Sequence, residues 1–258
     1  MKKKKVIALL VLLVGIGVMV YAGAKLLEAQ QVYQEGNLVY DDISSRVKGT
    51  GVIPPPPKTE ESIAATPKVS IPQLRINFGE LRAINKDAVA WLYCPDTVID
   101  YPVMRASDYS YYLSHLADGS YNANGALFID FNCASDFSDP LTVIYGHHMQ
   151  SGRMFGSLVG YKNQAYFDEH PYMYLYTENG NYRIELLYGC VIEAGQWRSR
   201  AFMYPTNVES LLAYAQYNTT FNSPVRYQSG DRIVALSTCS YEFDDARYVV
   251  IGVLRSEY

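Results

Sequence analysis

Three side chains in this sequence have the chemistry of a cysteine nucleophile and its partners. Cys239 follows the apolar run Ile233–Ser237 and precedes a polar turn, where a rigid sheet can present a reactive thiol. Such a nucleophile needs an imidazole partner and a group that holds the oxyanion. His147 ends another apolar run, and Arg247 follows Cys239 across what reads as a tight connection between antiparallel strands. The sequence therefore predicts thiol chemistry at Cys239.

Each of these residue types also has a purely structural interpretation. Arg247 could be a charge at a strand edge, paired with Asp244 or Asp245. A free cysteine is most often a small buried apolar side chain. We expect that structural role for the other three cysteines, which are Cys94, Cys133 and Cys190.

The spacing of the histidines and cysteines argues against a metal centre. The sequence has no CxxC and no HExxH pattern. His147 and His148 are adjacent, and neighbouring residues of a strand point to opposite faces. If the strand runs from Val143 through His147, then His147 shares a face with Tyr145 and His148 does not. We therefore expect no metal, and only one of the two histidines can face Cys239 unless a bulge at Gly146 changes the alternation.

The elements that must position these side chains are mostly strands. Alternating and β-branched segments bounded by turn signals predict strands over residues 98–103, 126–131, 141–145, 172–176, 182–191, 232–237 and 248–254. Helical spacing predicts one helix over residues 74–84 and a second over 208–215, the latter capped by Asn207. Many short strands with few helices indicate a mainly β domain, either a closed barrel or a sandwich.

The amino terminus indicates a membrane anchor. The basic run Lys2–Lys5 precedes an uncharged apolar segment, Val6–Ala24, which as a helix would be about 28 Å long and close to the thickness of a bilayer core. Lysines before the span favour a cytoplasmic amino terminus and an external domain. A cleaved signal peptide ending at the small residues Ala22-Gly23-Ala24 is the alternative, although its apolar region would be unusually long.

The remaining chain divides into a spacer and one domain. Residues 25–70 hold charged and Gln-rich sequence and then the proline run Pro54–Pro57, which predicts an extracellular stalk. Residues 71–258 are sufficient for a single domain. With 22 basic and 26 acidic residues the net charge is −4, which argues against a nucleic-acid binder, and 4 cysteines are too few for a disulfide scaffold.

The residues around the candidate site resemble those of class B sortases. Leu236–Cys239 (LSTC) is similar to the sortase signature Thr-Leu-x-Thr-Cys, with Ala235 in place of the leading threonine, and Tyr241–Arg247 resembles its continuation. Tyr145–Met149 (YGHHM) resembles the strand end that carries the family histidine, with a doubled histidine as a departure. Further similar segments are Ala83–Leu92, Ile99–Val103, Tyr111–Leu113, Met154-Phe155 and residues 207–217.

The resemblance implies an eight-stranded β-barrel with peripheral helices and transpeptidation at the outer face of a Gram-positive membrane. Cys239 would form a thioacyl enzyme with the sorting motif of a surface protein or pilin, and Arg247 would stabilise the oxyanion. The family histidine directly follows the glycine, here Gly146, so His147 would exchange protons. No nucleotide, metal or organic cofactor would be required. Thr238, Ser237 and Tyr145 would line the substrate site. The acceptor would be an amine of a peptidoglycan precursor or a pilin.

Two other classes of protein fit part of this pattern. A hydrolytic, membrane-anchored cysteine peptidase would share the cysteine and histidine but would release a free carboxylate even when an amine is present. A catalytically inactive, membrane-tethered binding module would be unaffected by alkylation of Cys239.

Overall fold

The computed structural model describes residues 2–50, 74–199 and 208–257. The proline run at 54–57 and the predicted cap Asn207 lie outside these ranges. The chain begins with one long helix, α1 (Lys2–Val47), which leads into the short strand β1 (Lys48–Thr50). The first strand after the undescribed segment, β2 (Leu74–Ile76), pairs antiparallel with β1.

Eight further strands close into a barrel, which confirms the predicted fold class. Their order around the barrel is β10-β8-β7-β3-β4-β5-β6-β9, with β9 pairing back onto β10. Neighbours are antiparallel except for two parallel pairs, β4 with β5 and β6 with β9. The strands are β3 (Ala88–Tyr93), β4 (Asp100–Met104), β5 (Leu127–Ile129), β6 (Leu141–Tyr145), β7 (Tyr172–Thr177), β8 (Gly180–Glu193), β9 (Arg232–Cys239) and β10 (Ala246–Glu257).

Short helices lie around the barrel. They are α2 (Phe78–Ile84), α3 (Gln164–Glu169), α4 (Ala194–Trp197) and α5 (Val208–Asn218), with 3-10 turns at Tyr111–Leu113 and Gly156–Lys162. Helix α5 buries side chains three and four positions apart, namely Val208, Leu211, Leu212 and Ala215. That spacing places them on one face of a helix, as the sequence predicts.

The strands that carry the site bury both of their faces. Along β9, Val234 and Leu236 pack in the larger apolar core, whereas Ile233 and Ala235 pack in a second layer with α5. This alternation follows from the period of two in a strand. Ala235, the departure from the sortase signature, therefore lies in the apolar layer beneath α5.

The structure corrects one predicted helix boundary. The spacing of Leu74, Phe78 and Leu81 matches helical turns and predicts a helix that begins at Leu74. In the structure Leu74 pairs with Thr50 in the β1–β2 ladder, and the helix begins at Phe78. The side chain of Asn77 caps that helix by accepting a hydrogen bond from Glu80 N at 3.1 Å, which ends the strand and starts α2.

Helix α1 joins the predicted membrane anchor to the barrel. It is the one helix in the described ranges that is long and apolar enough to cross a membrane. Its last turns pack on the domain, where Tyr40, Ile43 and Val47 are buried in the main core. This part of residues 25–70 is therefore integrated into the folded domain rather than serving as a free spacer.

Removing apolar contact from the end of α1 should destabilise the whole domain. Ile43 is 1% exposed, so we expect Ile43→Ala to lower the free energy of unfolding by about 2–5 kcal/mol through the lost transfer energy and the cavity left behind. The control is Leu38→Ala on the same helix, where the side chain is 68% exposed. Thermal melts of the detergent-solubilised full chain would compare the two. Equal melting temperatures would contradict the described packing of α1.

Candidate active site

A cavity of about 750 Å³ opens at one end of the β6–β9–β10 sheet, next to helix α4. It is lined by Tyr109, Ser110, Leu113, Phe128, Asn132, Tyr145, Gly146, His147, Trp197, Arg198, Ser237, Thr238, Cys239 and Arg247. All six residues predicted for the site are therefore among those that line one cavity.

Strand register brings four of the predicted residues onto one face. Cys239 pairs with Arg247 across the antiparallel β9–β10 ladder, and Ser237 pairs with Tyr145 across the parallel β6–β9 ladder. Side chains of paired residues lie on the same face of a sheet, about 4.5–5.5 Å apart at Cβ. The same face further along these strands is covered by α5. The cavity is the end of that face that α5 leaves uncovered.

His147 lies beyond the end of its strand, so strand alternation does not determine where it points. Strand β6 ends at Tyr145, two residues earlier than the expectation that it runs through His147. The imidazole Nε2 lies 2.7 Å from the carbonyl oxygen of Leu113. Because a carbonyl can only accept, Nε2 carries the proton of that bond and Nδ1 is the nitrogen left for proton exchange.

His148 has a different environment from His147. Its Nδ1 lies 2.9 Å from the carbonyl oxygen of Cys239, and its ring packs beside Tyr241 at 5.1 Å between centroids. His148 does not line the cavity. His148 therefore contacts the backbone of Cys239, whereas His147 shares with Cys239 the space that a ligand could occupy.

The loop between β9 and β10 is anchored immediately after Cys239. Lys162 Nζ donates to Ser240 Oγ at 3.0 Å and also forms an ion pair with Glu242, whose carboxylate accepts from the Ser240 hydroxyl. The backbone N–H of Ser240 donates to Ala246 O at 2.9 Å. These bonds hold the tight connection that keeps Cys239 beside its partner strand.

Arg247 lies beside Cys239, its partner across the β9–β10 ladder. Its Nη1 donates to Ala246 O at 2.9 Å, and the residue lines the cavity. In the part of the chain that the structure describes, no ion pair joins it to Asp244 or Asp245, which was the alternative interpretation of this side chain.

The other three cysteines are buried and poorly suited to thiolate chemistry. Burial raises the pKa of Cys133 to about 11 and that of Cys190 to about 12, and it also raises the pKa of the Cys94 thiol. A raised pKa keeps the group as a thiol at neutral pH, and the thiolate is the nucleophile. Cys239 is the one free cysteine with partial exposure in the structure.

The two residues before Cys239 differ in how their hydroxyls are used. Thr238 Oγ1 donates to Gly146 O at 2.8 Å, so it ties the end of β9 to the end of β6. Ser237 Oγ is buried and has no hydrogen-bond partner among the described residues. An unsatisfied buried hydroxyl is costly, so Ser237 is the better placed of the two to bond a ligand.

Sequence analysis missed the buried carboxylate of Asp130 behind the cavity wall. Asp130 is 1% exposed and accepts hydrogen bonds from Tyr109 OH at 3.0 Å, from Tyr145 OH at 3.0 Å and from Asn132 N at 2.9 Å. Burial, together with the nearby carboxylate, raises the pKa of Tyr109 to about 12, so its proton stays on the oxygen. The signal in the sequence is a lone acidic residue in the apolar run Ala126–Phe131.

Trp197 is a second residue that sequence analysis missed. It is 1% exposed, and its Nε1 has no hydrogen-bond partner within the described ranges. Glu193 fixes the helix that carries it by accepting hydrogen bonds from Gly195 N at 2.7 Å and Gln196 N at 2.8 Å, and these bonds lower the pKa of Glu193. Trp197 therefore contributes to the cavity wall, and its indole N–H is buried.

Comparisons with known proteins agree on one family. No protein-family model matches the sequence. Sortase B of Listeria monocytogenes is 33% identical over 196 residues, which cover 74% of this chain and 78% of the relative. A solved Bacillus anthracis protein described as similar to sortase B has a TM-score of 0.70 at 27% identity, covering 88% of this chain and 98% of the other. A Staphylococcus aureus sortase B–substrate complex has a TM-score of 0.64 at 26% identity, covering 70% of this chain and 85% of the other.

Neutralising the buried carboxylate should loosen the cavity wall. In Asp130→Asn an amide N–H₂ donor replaces a carboxylate oxygen that accepts hydrogen bonds from Tyr109 and Tyr145. Because donor then faces donor, we expect the free energy of unfolding to fall by about 1.5–3 kcal/mol. Chemical denaturation monitored by tyrosine fluorescence would measure the change. The matched control is Asp136→Asn on the exposed loop that follows, which should change stability by less than about 0.5 kcal/mol. Similar small effects at both positions would show that Asp130 does not anchor the wall.

Proposed function

Because this chain belongs to the sortase B family of cysteine transpeptidases, we propose that it joins a sorting-motif peptide to an amine through a thioester on Cys239. The observation that carries the proposal is the convergence of Cys239, His147 and Arg247 on the wall of one cavity. These three side chains supply a nucleophile, a proton carrier and a fixed cation, which are the groups that acyl transfer requires.

In the first half of the reaction, the Cys239 thiolate attacks the scissile carbonyl carbon of the sorting motif. The peptide C–N bond breaks, and the leaving amine takes a proton from the His147 imidazolium. The atom that exchanges this proton is Nδ1, because Nε2–H donates to Leu113 O. The products are a thioester on Cys239, a neutral imidazole and a free amine.

In the second half, an acceptor amine attacks the thioester carbon. Neutral His147 removes the proton of the attacking nitrogen as the C–S bond breaks, which regenerates thiolate and imidazolium. Each half passes through a tetrahedral oxyanion. The Arg247 guanidinium, paired with Cys239 across the β9–β10 ladder, stabilises that charge.

The lining of the cavity suits a peptide substrate. Ser237, Tyr145 and Trp197 combine apolar surface with polar groups, and Ser237 Oγ has no hydrogen-bond partner among the described residues. Thr238 contributes by fixing the strand end. A relative, Staphylococcus aureus sortase B, has been solved with substrate, and a sortase B has been solved with triglycine. By analogy, surface proteins or pilins would supply the motif, and a peptidoglycan precursor or pilin would supply the amine.

The reaction would take place at the outer face of the cell membrane. Helix α1 is a candidate membrane span, and the lysines Lys2–Lys5 precede it. Positively charged residues are retained on the cytoplasmic side, so we propose a cytoplasmic amino terminus and an extracellular barrel.

Alanine substitution should single out one cysteine. Cys239→Ala removes the nucleophile, so we expect no detectable product from a sorting-motif peptide and an amine. Cys94→Ala, Cys133→Ala and Cys190→Ala should keep turnover, with stability losses of about 1 kcal/mol. Product formation measured by mass spectrometry would compare the four variants. Full loss of turnover in a folded variant of a buried cysteine would contradict the assignment.

The geometry of Arg247 should matter as well as its charge. A planar guanidinium offers several fixed donors to an oxyanion, whereas an ammonium acts as a point charge. Loss of an oxyanion donor typically costs about 10²–10³ in rate, so we expect Arg247→Lys to lower kcat by that factor. Steady-state kinetics with a melting curve as the folding control would test this. Turnover close to wild type would mean that Arg247 is not an oxyanion ligand.

The adjacent histidines should give unequal effects. Because His147 faces the cavity and His148 bonds the Cys239 carbonyl, we expect His147→Ala to lose at least about 10² in transpeptidation and His148→Ala to lose less than about tenfold. Both variants must melt close to wild type for the comparison to hold. An inactive His148→Ala beside an active His147→Ala would exchange the two roles.

A further inference from the structure

Helix α1 makes lateral polar contacts with the domain before its buried last turns. Asn122 Nδ2 donates to Val32 O at 2.9 Å, and Asn124 Nδ2 donates to Tyr33 O at 3.2 Å. Both carbonyls belong to the helix, so the two amides attach the loop of residues 122–125 to its side. The contact is close because Gly36 has no side chain. A Cβ at that position would lie 2.2 Å from Asn124 Nδ2.

A second contact ties the same helix to the end of this loop. Tyr40 is 4% exposed, and its hydroxyl donates to Gly125 O at 2.6 Å. Gly125 adopts a φ of 58°, a left-handed conformation that favours glycine. Its backbone N–H closes the turn by donating to Asn122 O at 3.1 Å. The loop of residues 122–125 is therefore held from the helix side at both ends.

The opposite side of this loop supports His147. A Cβ on Gly125 would lie 2.9 Å from His147 Cδ2, so the imidazole rests directly against the Gly125 backbone. The carbonyl that accepts from His147 Nε2 belongs to Leu113, in the adjacent 3-10 turn. Ala126 N donates to Tyr112 O at 2.9 Å, which joins that turn to the loop.

We propose that residues 32–40 of α1 position the His147 imidazole through the loop of residues 122–125. Gly36 and Tyr40 are the positioning residues, because one permits the close approach and the other bonds the Gly125 carbonyl. The inference rests on the proposed function, since it takes His147 as the proton carrier. It gives the part of α1 that follows the membrane anchor a role in the chemistry.

The arrangement also sets the height of the site above the membrane. Val32 follows Ala24, the last residue of the apolar segment, by eight positions, which is about 12 Å of helix at 1.5 Å per residue. Tyr40, which holds Gly125 behind His147, follows Ala24 by 16 positions, so the loop of residues 122–125 would lie about 12–24 Å from the bilayer edge along the helix axis. A substrate or acceptor that is itself tethered to the membrane suits this placement.

The test uses the detergent-solubilised full chain with Gly36→Ala, Tyr40→Phe and the matched control Gly23→Ala. Alanine raises helix propensity by about 1 kcal/mol at either glycine. At Gly36 it also displaces Asn124, whereas at Gly23 a Cβ meets nothing within 4 Å. Tyr40→Phe removes one hydroxyl and preserves the ring packing, so it serves as the milder variant if Gly36→Ala folds poorly.

Two readouts separate positioning from general stability. We expect Gly36→Ala and Tyr40→Phe to lower kcat about tenfold, because a small displacement of a catalytic group slows the reaction. The KM for a sorting-motif peptide should change less than about twofold. We also expect the His147 imidazole resonances, assigned by comparison with His147→Ala, to shift in both variants. Gly23→Ala should match wild type in kcat and in the spectrum.

The outcomes distinguish this inference from the function on which it rests. Suppose that His147→Ala is inactive, but that Gly36→Ala and Tyr40→Phe both keep the wild-type kcat, or both leave the His147 resonances unshifted. The positioning role is then wrong, and the transpeptidase assignment stands. If His147→Ala is active, the proposed function itself fails. A loss of activity in Gly23→Ala equal to that in Gly36→Ala would also overturn the inference, because helix propensity alone would then explain it.

Discussion

The pairing of β9 with both β6 and β10 is the constraint on which the rest of the site depends. The antiparallel ladder with β10 sets Cys239 beside Arg247, and the parallel ladder with β6 sets Ser237 beside Tyr145. A shift of one residue in either register would turn the side chains of that strand to the opposite face. Closure of the barrel fixes both registers together, because β9, the last strand in the order, pairs with β6 on one side and with β10, the first strand, on the other. The proposed nucleophile, Cys239, therefore has the Arg247 guanidinium beside it through the pairing of the two strands.

One face of this sheet serves both stability and chemistry. Towards one end its side chains pack beneath α5 in an apolar layer, and towards the other end the same face opens into the cavity. Trp197 stands at the boundary, since it belongs to the apolar layer and also lines the cavity. Polar groups outside the sheet complete the site. Asp130 holds two tyrosines of the wall, and Leu113 holds His147 through its carbonyl oxygen.

Local sequence was sufficient for the features that depend on neighbouring residues. The proximity of Cys239 and Arg247 follows from a short connection between two strands, and the three buried cysteines follow from their apolar surroundings. His147 lines the same cavity as Cys239 because β6 and β9, which are far apart in the sequence, pair in parallel. The position of His147 at a strand end suggested this proximity, and the family resemblance supported it, but no local pattern determined the pairing. Leu74 was misassigned because a helical spacing coincided with a strand whose partner is β1. Asp130 was missed because its tyrosine partners are distant in sequence.

The central claim is that Cys239 carries an acyl group that an amine then removes. The most direct test is to incubate the full chain with a sorting-motif peptide from a library screen, first without amine and then with triglycine, and to map the mass adduct by peptide analysis. The account predicts an acyl adduct on the peptide that contains Cys239, which disappears on addition of triglycine as the ligated product forms. An adduct on Cys94, Cys133 or Cys190, or release of only the free carboxylate in the presence of triglycine, would contradict it.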